Sequence, residues 1–181
     1  NSLAGKILRL KDDGSFSKDN PFGNAVWSFG HRNPQGLVFD DKGRLWETEH
    51  GSSAYDELNL IEKGKNYGWP EIRGNQEKGE MEKPILHSGS VTWAPASLLF
   101  WKGNLFFTGL RGESLYKVRE SAQGKVELIK KYFEDEFGRL RILKLGPENL
   151  FYIGTSNQDG RGNRDKEDDK IIRINPKIFE E

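Results

Sequence analysis

One pattern occurs three times in this chain: an apolar strand, a tight turn and an aromatic-rich strand. It spans Leu37–Trp46, Leu98–Phe107 and Ile142–Tyr152. Each copy continues through a polar loop into a third strand, at Glu57–Ile61, Ser114–Val118 and Lys170–Ile174. Gly5–Leu10 repeats that third strand with no hairpin before it. Repeats about 40–60 residues apart, each a small antiparallel sheet, are the signature of propeller blades. The pattern therefore predicts an all-β chain, a partial β-propeller over residues 1–181; a β-sandwich with accidental hairpin similarity is the competing reading. At about 40–45 residues per blade the length accommodates the last three to four blades of a ring. An unclosed ring exposes a sheet edge and half its core. The expectation is thus the C-terminal part of one propeller domain, completed by a preceding N-terminal half or by a second chain.

Composition narrows the function classes. Lysine plus arginine equal aspartate plus glutamate at 28 each, so no global basic field favours nucleic acid or an anionic membrane. With no cysteine, disulfides, thiolate catalysis and cysteine-based zinc sites are excluded. No membrane-spanning segment is legible. Charged residues at 31 %, one methionine and no cysteine are a composition that suits a thermophile.

The polar segments are concentrated around the first hairpin. Gly30–Gly36 precedes it, and Trp46–Leu60 and Asn66–Pro70 follow it, an arrangement in which a rigid sheet carries binding groups on its loops. Four arginines are placed oddly for surface charge. Arg32 lies between two glycines, Arg111 falls in the equivalent loop of a later repeat, and Arg139 and Arg141 alternate at the start of a strand and so project together. Gathered at one end of a propeller, they would form an anion site suited to carboxylates; four ordinary surface arginines are the plain alternative. His31, His50 and His87 lack partners at metal or triad spacing, so structural or hydrogen-bonding roles are expected. Asp56, Glu57, Asn75 and Glu77 lie on carbonyl-rich loops of the kind that hold calcium, without EF-hand spacing. Trp93 precedes a strand and either walls a flat ligand or packs inside its blade. Arg161–Asp169 reads as a solvated loop of mixed charge.

Gly-His-Arg-Asn-Pro-Gln-Gly-Leu at 30–37, Glu-His-Gly at 49–51, Asp-Glu-Leu-Asn-Leu-Ile at 56–61 and Asn-Tyr-Gly-Trp-Pro at 66–70 resemble the pyrroloquinoline-quinone (PQQ)-dependent glucose and aldose sugar dehydrogenases. Residues 2–10 and 169–174 fit as well. The resemblance implies a six-bladed propeller with the quinone on its axis, held by arginines and Ca2+. The implied reaction is oxidation of the C1 hydroxyl of an aldose sugar to a lactone. Carried over by position, Arg32 and Asn33 contact the quinone, Gln35 supports their loop, and Arg139 and Arg141 bind its carboxylates. Arg111 stands where relatives have lysine. The carbonyls of Gly51 and Ser52 match ligands of the cofactor's calcium, although relatives often have proline after that glycine. Glu57, the Tyr67 carbonyl and Glu77 match a second, structural calcium site, and Trp93 flanks the substrate pocket. The family's catalytic histidine belongs to an earlier blade, so no catalytic residue is assigned within this chain. The resemblance also points to a periplasmic or extracellular location, and leaves the electron acceptor unspecified. A non-catalytic propeller module and a calcium-dependent propeller lactonase are the alternatives; the converging arginines favour the dehydrogenase.

Overall fold

The computed structural model describes residues 2–163 and 165–180. Its strands run in chain order as β1 (Lys6–Leu8), β2 (Val26–Phe29), β3 (Pro34–Phe39), β4 (Leu45–Glu49), β5 (Glu57–Ile61), β6 (Leu86–His87), β7 (Pro95–Trp101), β8 (Asn104–Gly109), β9 (Leu115–Glu120), β10 (Val126–Tyr132), β11 (Leu140–Leu145), β12 (Phe151–Thr155) and β13 (Ile171–Ile174). They make four antiparallel meanders: β1–β2, β3 to β6, β7 to β10 and β11 to β13. The strands that open the last three sheets lie side by side, β3 against β7 and β7 against β11. Sheets stacked about their first strands are the blades of a propeller, as the repeat predicts. No helix among the described residues is long and apolar enough to cross a membrane.

Local chemistry makes each hairpin. Between Trp101 and Asn104, which pair directly, Lys102 and Gly103 both adopt positive φ, the geometry that matches strand twist in a two-residue loop. In the first hairpin Asp40 Oδ1 accepts from the backbone N–H groups of Lys42 and Arg44, both at 2.9 Å, an aspartate-stabilised turn. The Asp40 carboxylate also takes the Trp46 indole N–H at 2.9 Å. Three strands carry little sequence signal. β2 and β6 are short, and β10 is an outer strand rich in lysine with a mostly exposed surface, the usual protection of a sheet edge.

Apolar cores separate the blades; a small one of Ile7, Ile61 and Tyr67 lies between the first and second sheets, and two larger ones follow. Trp46, Leu58, Trp93, Leu98, Leu105, Phe107, Tyr116 and Val118 pack between the second and third sheets. Phe106, Leu115, Leu140, Leu143, Phe151, Ile153 and Phe179 pack between the third and fourth. Strand β8 is buried along its whole length: alternation sends Leu105 and Phe107 into one core and Phe106 into the other. Gly36 lets β3 approach β7, because a Cβ there would lie 2.7 Å from the Leu98 Cβ. The buried Lys117 ammonium donates to the Phe179 carbonyl at 2.6 Å, which ties the C-terminal turn Pro176–Phe179 under the third sheet.

Candidate functional site

Arg32, Trp93 and Arg139 occupy equivalent places, each within two residues of the first strand of its blade. Because those strands are neighbours, their lead-in loops meet at one end of the sheets. A run of hydrogen bonds and strand pairing links these loops. Arg32 Nη1 donates to the His50 carbonyl at 3.2 Å, and His50 Nε2 donates to the Pro95 carbonyl at 2.8 Å. Pro95 pairs with Gly109, and the next carbonyl, that of Leu110, accepts from Arg139 Nη1 at 3.2 Å. Arg139 Nη2 then meets Asp159 Oδ2 at 2.8 Å, with Arg141 Nη2 at 3.5 Å from the same oxygen. Arg139 and Arg141 thus project together. Arg111 follows Leu110, in a loop held to the Trp93 turn by Gly112 N–H donating to the Trp93 carbonyl at 3.0 Å.

Two buried carboxylates set the loop geometry. Glu49 Oε2 accepts from the backbone N–H of Arg32 at 2.6 Å and of Asn33 at 3.0 Å, and Gln35 Nε2 braces Asn33 Oδ1 at 3.0 Å. Asp56 joins two blades: it accepts from Gly51 N–H at 2.9 Å, Trp93 N–H at 2.6 Å and Ala94 N–H at 2.8 Å. Each is a charge-assisted bond to a group that would otherwise be orphaned on a tight loop. The loop admits only glycine at 51, where a Cβ would sit 1.9 Å from the Ala54 carbonyl oxygen.

Arg32, Gly51, Ser52, Glu57 and Tyr67 line one narrow cleft. No described residue donates a hydrogen bond to the carbonyls of Gly51 or Ser52, so both are free to accept a hard cation. Burial, then the charge of Glu49, push the Glu57 carboxyl up to about 7, as expected of a carboxylate without a counter-ion. Two expectations fare differently. The Glu77 side chain is 73 % exposed, pairs with Lys83 and lies outside the cleft lining, because its polar loop runs outward into solvent; it does not join Glu57. The Trp93 ring is buried against Phe107 and Tyr116, with ring centroids 5.3 and 5.7 Å away. Of its two readings, packing inside the blade is the one realised, because the adjoining apolar core claims the indole.

His31 does not face the cleft. Its ring is buried, stacks on Tyr67 at 4.6 Å, and contacts Ser28 Oγ at 2.9 Å through Nε2 and Glu49 Oε1 at 3.3 Å through Nδ1. Around it, Glu47 and Glu49 of β4 face Asn59 and Glu57 of β5 in direct register. Burial, then the charge of Glu49, push the Glu47 carboxyl well above the usual range. Glu47, Glu49 and Asn59 carry no role in the sequence motifs above, although polar residues alternating along two adjacent strands are a visible cue to one polar face. The sequence offers Asp56 only as a calcium ligand, and Asp159 has no local signal. The loop Arg161–Asp169 is mostly exposed where described, with Arg164 outside the described residues; its Asp169 accepts from Asn157 N–H at 2.5 Å.

A family model described as glucose/sorbosone dehydrogenase matches residues 1–173. The chain belongs to this family. Members similar to it include the aldose sugar dehydrogenase YliI of Escherichia coli K12, 30 % identical over 97 % of this chain and 52 % of the relative. Quinoprotein glucose dehydrogenase B of Acinetobacter calcoaceticus is 52 % identical over a shorter stretch, 40 % of this chain and 16 % of the relative. Among solved structures, the PQQ-bound aldose sugar dehydrogenase of Streptomyces coelicolor superposes with a TM-score of 0.88 at 38 % identity, covering 96 % of this chain and 52 % of that one. The chain spans about half the length of these dehydrogenases, apart from the Acinetobacter protein, of which it matches a smaller part.

Proposed function

We propose that the end of the sheets where Arg32, Arg111, Arg139 and Arg141 converge is the quinone-binding portion of a calcium-assisted aldose dehydrogenase. The observation that carries this reading is the run of contacts at one end of the sheets that links Arg32 to Arg139 and Arg141, with Arg32 lining the cleft that holds two carbonyls free to accept a cation. Arginine matches a carboxylate with two parallel N–H bonds, so Arg139 and Arg141 are suited to the acid groups of PQQ. Asp159 fills that role in the structure and fixes the direction of both side chains. Arg32 stacks over Trp69 at 5.4 Å and is restrained further by Glu49 at its backbone. The carbonyls of Gly51 and Ser52 would hold Ca2+, and Glu57 with the Tyr67 carbonyl would form a second position for it; what supports this is that all of them line one cleft and that no described residue donates to the Gly51 or Ser52 carbonyl. When bound, the quinone supplies the hydride acceptor for oxidation of the sugar C1 hydroxyl; the residues here bind, orient and charge-balance.

The proton-accepting group remains unassigned within this chain. What supports leaving it so is that both nearby histidines are engaged: His31 is buried behind the loop, and His50 donates to Pro95. The test is absorbance titration of the chain with PQQ, with and without calcium. Calcium-dependent binding, weakened at least about tenfold in Arg139→Ala, is expected, without dye reduction on adding glucose. Equal binding by Arg139→Ala would refute the clamp, and turnover would place the base within this chain.

A further inference from the structure

Behind the arginine loops lies a buried polar cluster of which the quinone reading uses only Glu57 and the backbone contact of Glu49. Glu47, Glu49, Glu57 and Asn59 share one face of β4 and β5, with Glu47 opposite Asn59 and Glu49 opposite Glu57. Like charges directly opposite across strands are destabilising unless something offsets them. No lysine or arginine among the described residues pairs with any of these carboxylates; His31 is the one basic group in contact. Three carboxylates instead crowd one amide: Asn59 Nδ2 stands 3.0 Å from Glu47, 3.3 Å from Glu49 and 3.4 Å from Glu57, although it has only two hydrogens to give. Glu47 Oε1 and Asn59 Oδ1, both fully buried, have no hydrogen-bond partner among the described residues. One ligand atom each from His31, Glu47 and Glu49 lies within 4.8 Å of the others.

We propose that His31, Glu47 and Glu49 form a buried site for one divalent transition-series cation, with zinc the best-fitting ion. Zinc bonds of about 2.0–2.1 Å in a tetrahedron separate adjacent donors by about 3.3 Å, and His31 Nδ1 stands 3.3 Å from Glu49 Oε1. One imidazole and two carboxylates make a mixed nitrogen–oxygen set, which suits zinc or manganese better than calcium. Ser28 Oγ at the other ring nitrogen accepts the Nε2 proton and leaves the Nδ1 lone pair directed at the ion, the outer contact that metal-bound histidines use to fix their tautomer. Turning the Asn59 amide presents its free oxygen as a fourth donor, since its two ends are interchangeable in shape. Glu49 would bind the cation through Oε1 and hold Arg32 and Asn33 through Oε2, so that metal and arginine loop share one carboxylate.

The site is tested by calorimetric titration of the chelator-stripped chain with zinc, calcium being kept in excess to fill any hard-cation positions. No quinone is present, so the outcome is independent of the function proposed above. One zinc per chain and a rise in Tm are expected. Glu47→Gln keeps the side chain's shape and touches neither calcium position; it should bind zinc about 100-fold more weakly, while its zinc-free Tm stays at or above that of the parent. His31→Gln should lose binding likewise, and Glu57→Gln should retain it. Failure of the parent chain to bind zinc beside calcium, or binding undiminished in both Glu47→Gln and His31→Gln, would overturn the proposal.

Discussion

Replacing Asp56 by alanine should be among the costliest single changes in this chain. Its carboxylate is 2 % exposed and satisfies three backbone N–H groups, on Gly51, Trp93 and Ala94. A hydrogen bond to a charged group contributes about 1.5–3 kcal/mol. Three independent bonds would sum to about 4.5–9 kcal/mol, but they share one acceptor and are not additive. Gly51 and Ala94 are also partly exposed, so water can reach their N–H groups once the carboxylate is gone. Trp93 is buried and its N–H would stay orphaned. The expected loss is about 4 kcal/mol, a large share of the roughly 5–15 kcal/mol that holds a domain folded. Asp56→Asn keeps the shape but points an amide N–H at one of the donors, and should lose about half as much. The assay is urea unfolding followed by tryptophan fluorescence. With a slope of about 2 kcal/mol per molar urea, Asp56→Ala should lower the midpoint by about 2 M with the slope unchanged. A shift below about 0.5 M would refute the account of Asp56 as the clip between blades.

Three further outcomes follow from particular contacts. Burial opposes ionisation of Asp40, but the Trp46 indole, the Arg44 backbone N–H and the Arg44 guanidinium outweigh it and lower its carboxyl from 3.8 to about 2. Because the folded value is the lower one, Asp40 contributes stability above pH 3.8 that is lost as pH falls towards 2, about 2 kcal/mol in all; urea midpoints across that range should fall less steeply in Asp40→Asn. Phe106 is fully buried among Trp101, Phe151 and Phe179, so Phe106→Ala should cost about 3–5 kcal/mol in the same assay. Arg44 grips Glu120 of the next blade with two bonds, at 3.0 and 2.7 Å, yet both side chains are partly exposed. A double-mutant cycle on the pair should return no more than about 1 kcal/mol and shrink in high salt; a coupling above about 3 kcal/mol would show the bridge to be shielded from solvent.

The hairpins and the architecture were legible in the sequence because their causes are local. The apolar and aromatic runs at Leu98–Trp101 and Leu105–Phe107, and a Lys102–Gly103 turn that demands positive φ, act over a few residues. Arg32 and Arg139 were legible for the same reason, since each sits one or two residues ahead of the first strand of its blade. Where the side chains end up was decided by packing. Trp93 has the same neighbours in sequence whether it faces a ligand or a core, and only the seating of the third sheet against the second placed its ring beside Phe107 and Tyr116. Asp56 meets Trp93 and Asp159 meets Arg139 across spans of chain far longer than any local signal, so nothing near either residue announces its partner. The buried face of His31, Glu47, Glu49 and Asn59 depends on register: one residue of slip between β4 and β5 would change which residues stand opposite and dissolve it. Period and turn chemistry determined which strands form, whereas sheet register and blade packing decided which charges are buried together, because burial and charge pairing are properties of the assembled chain.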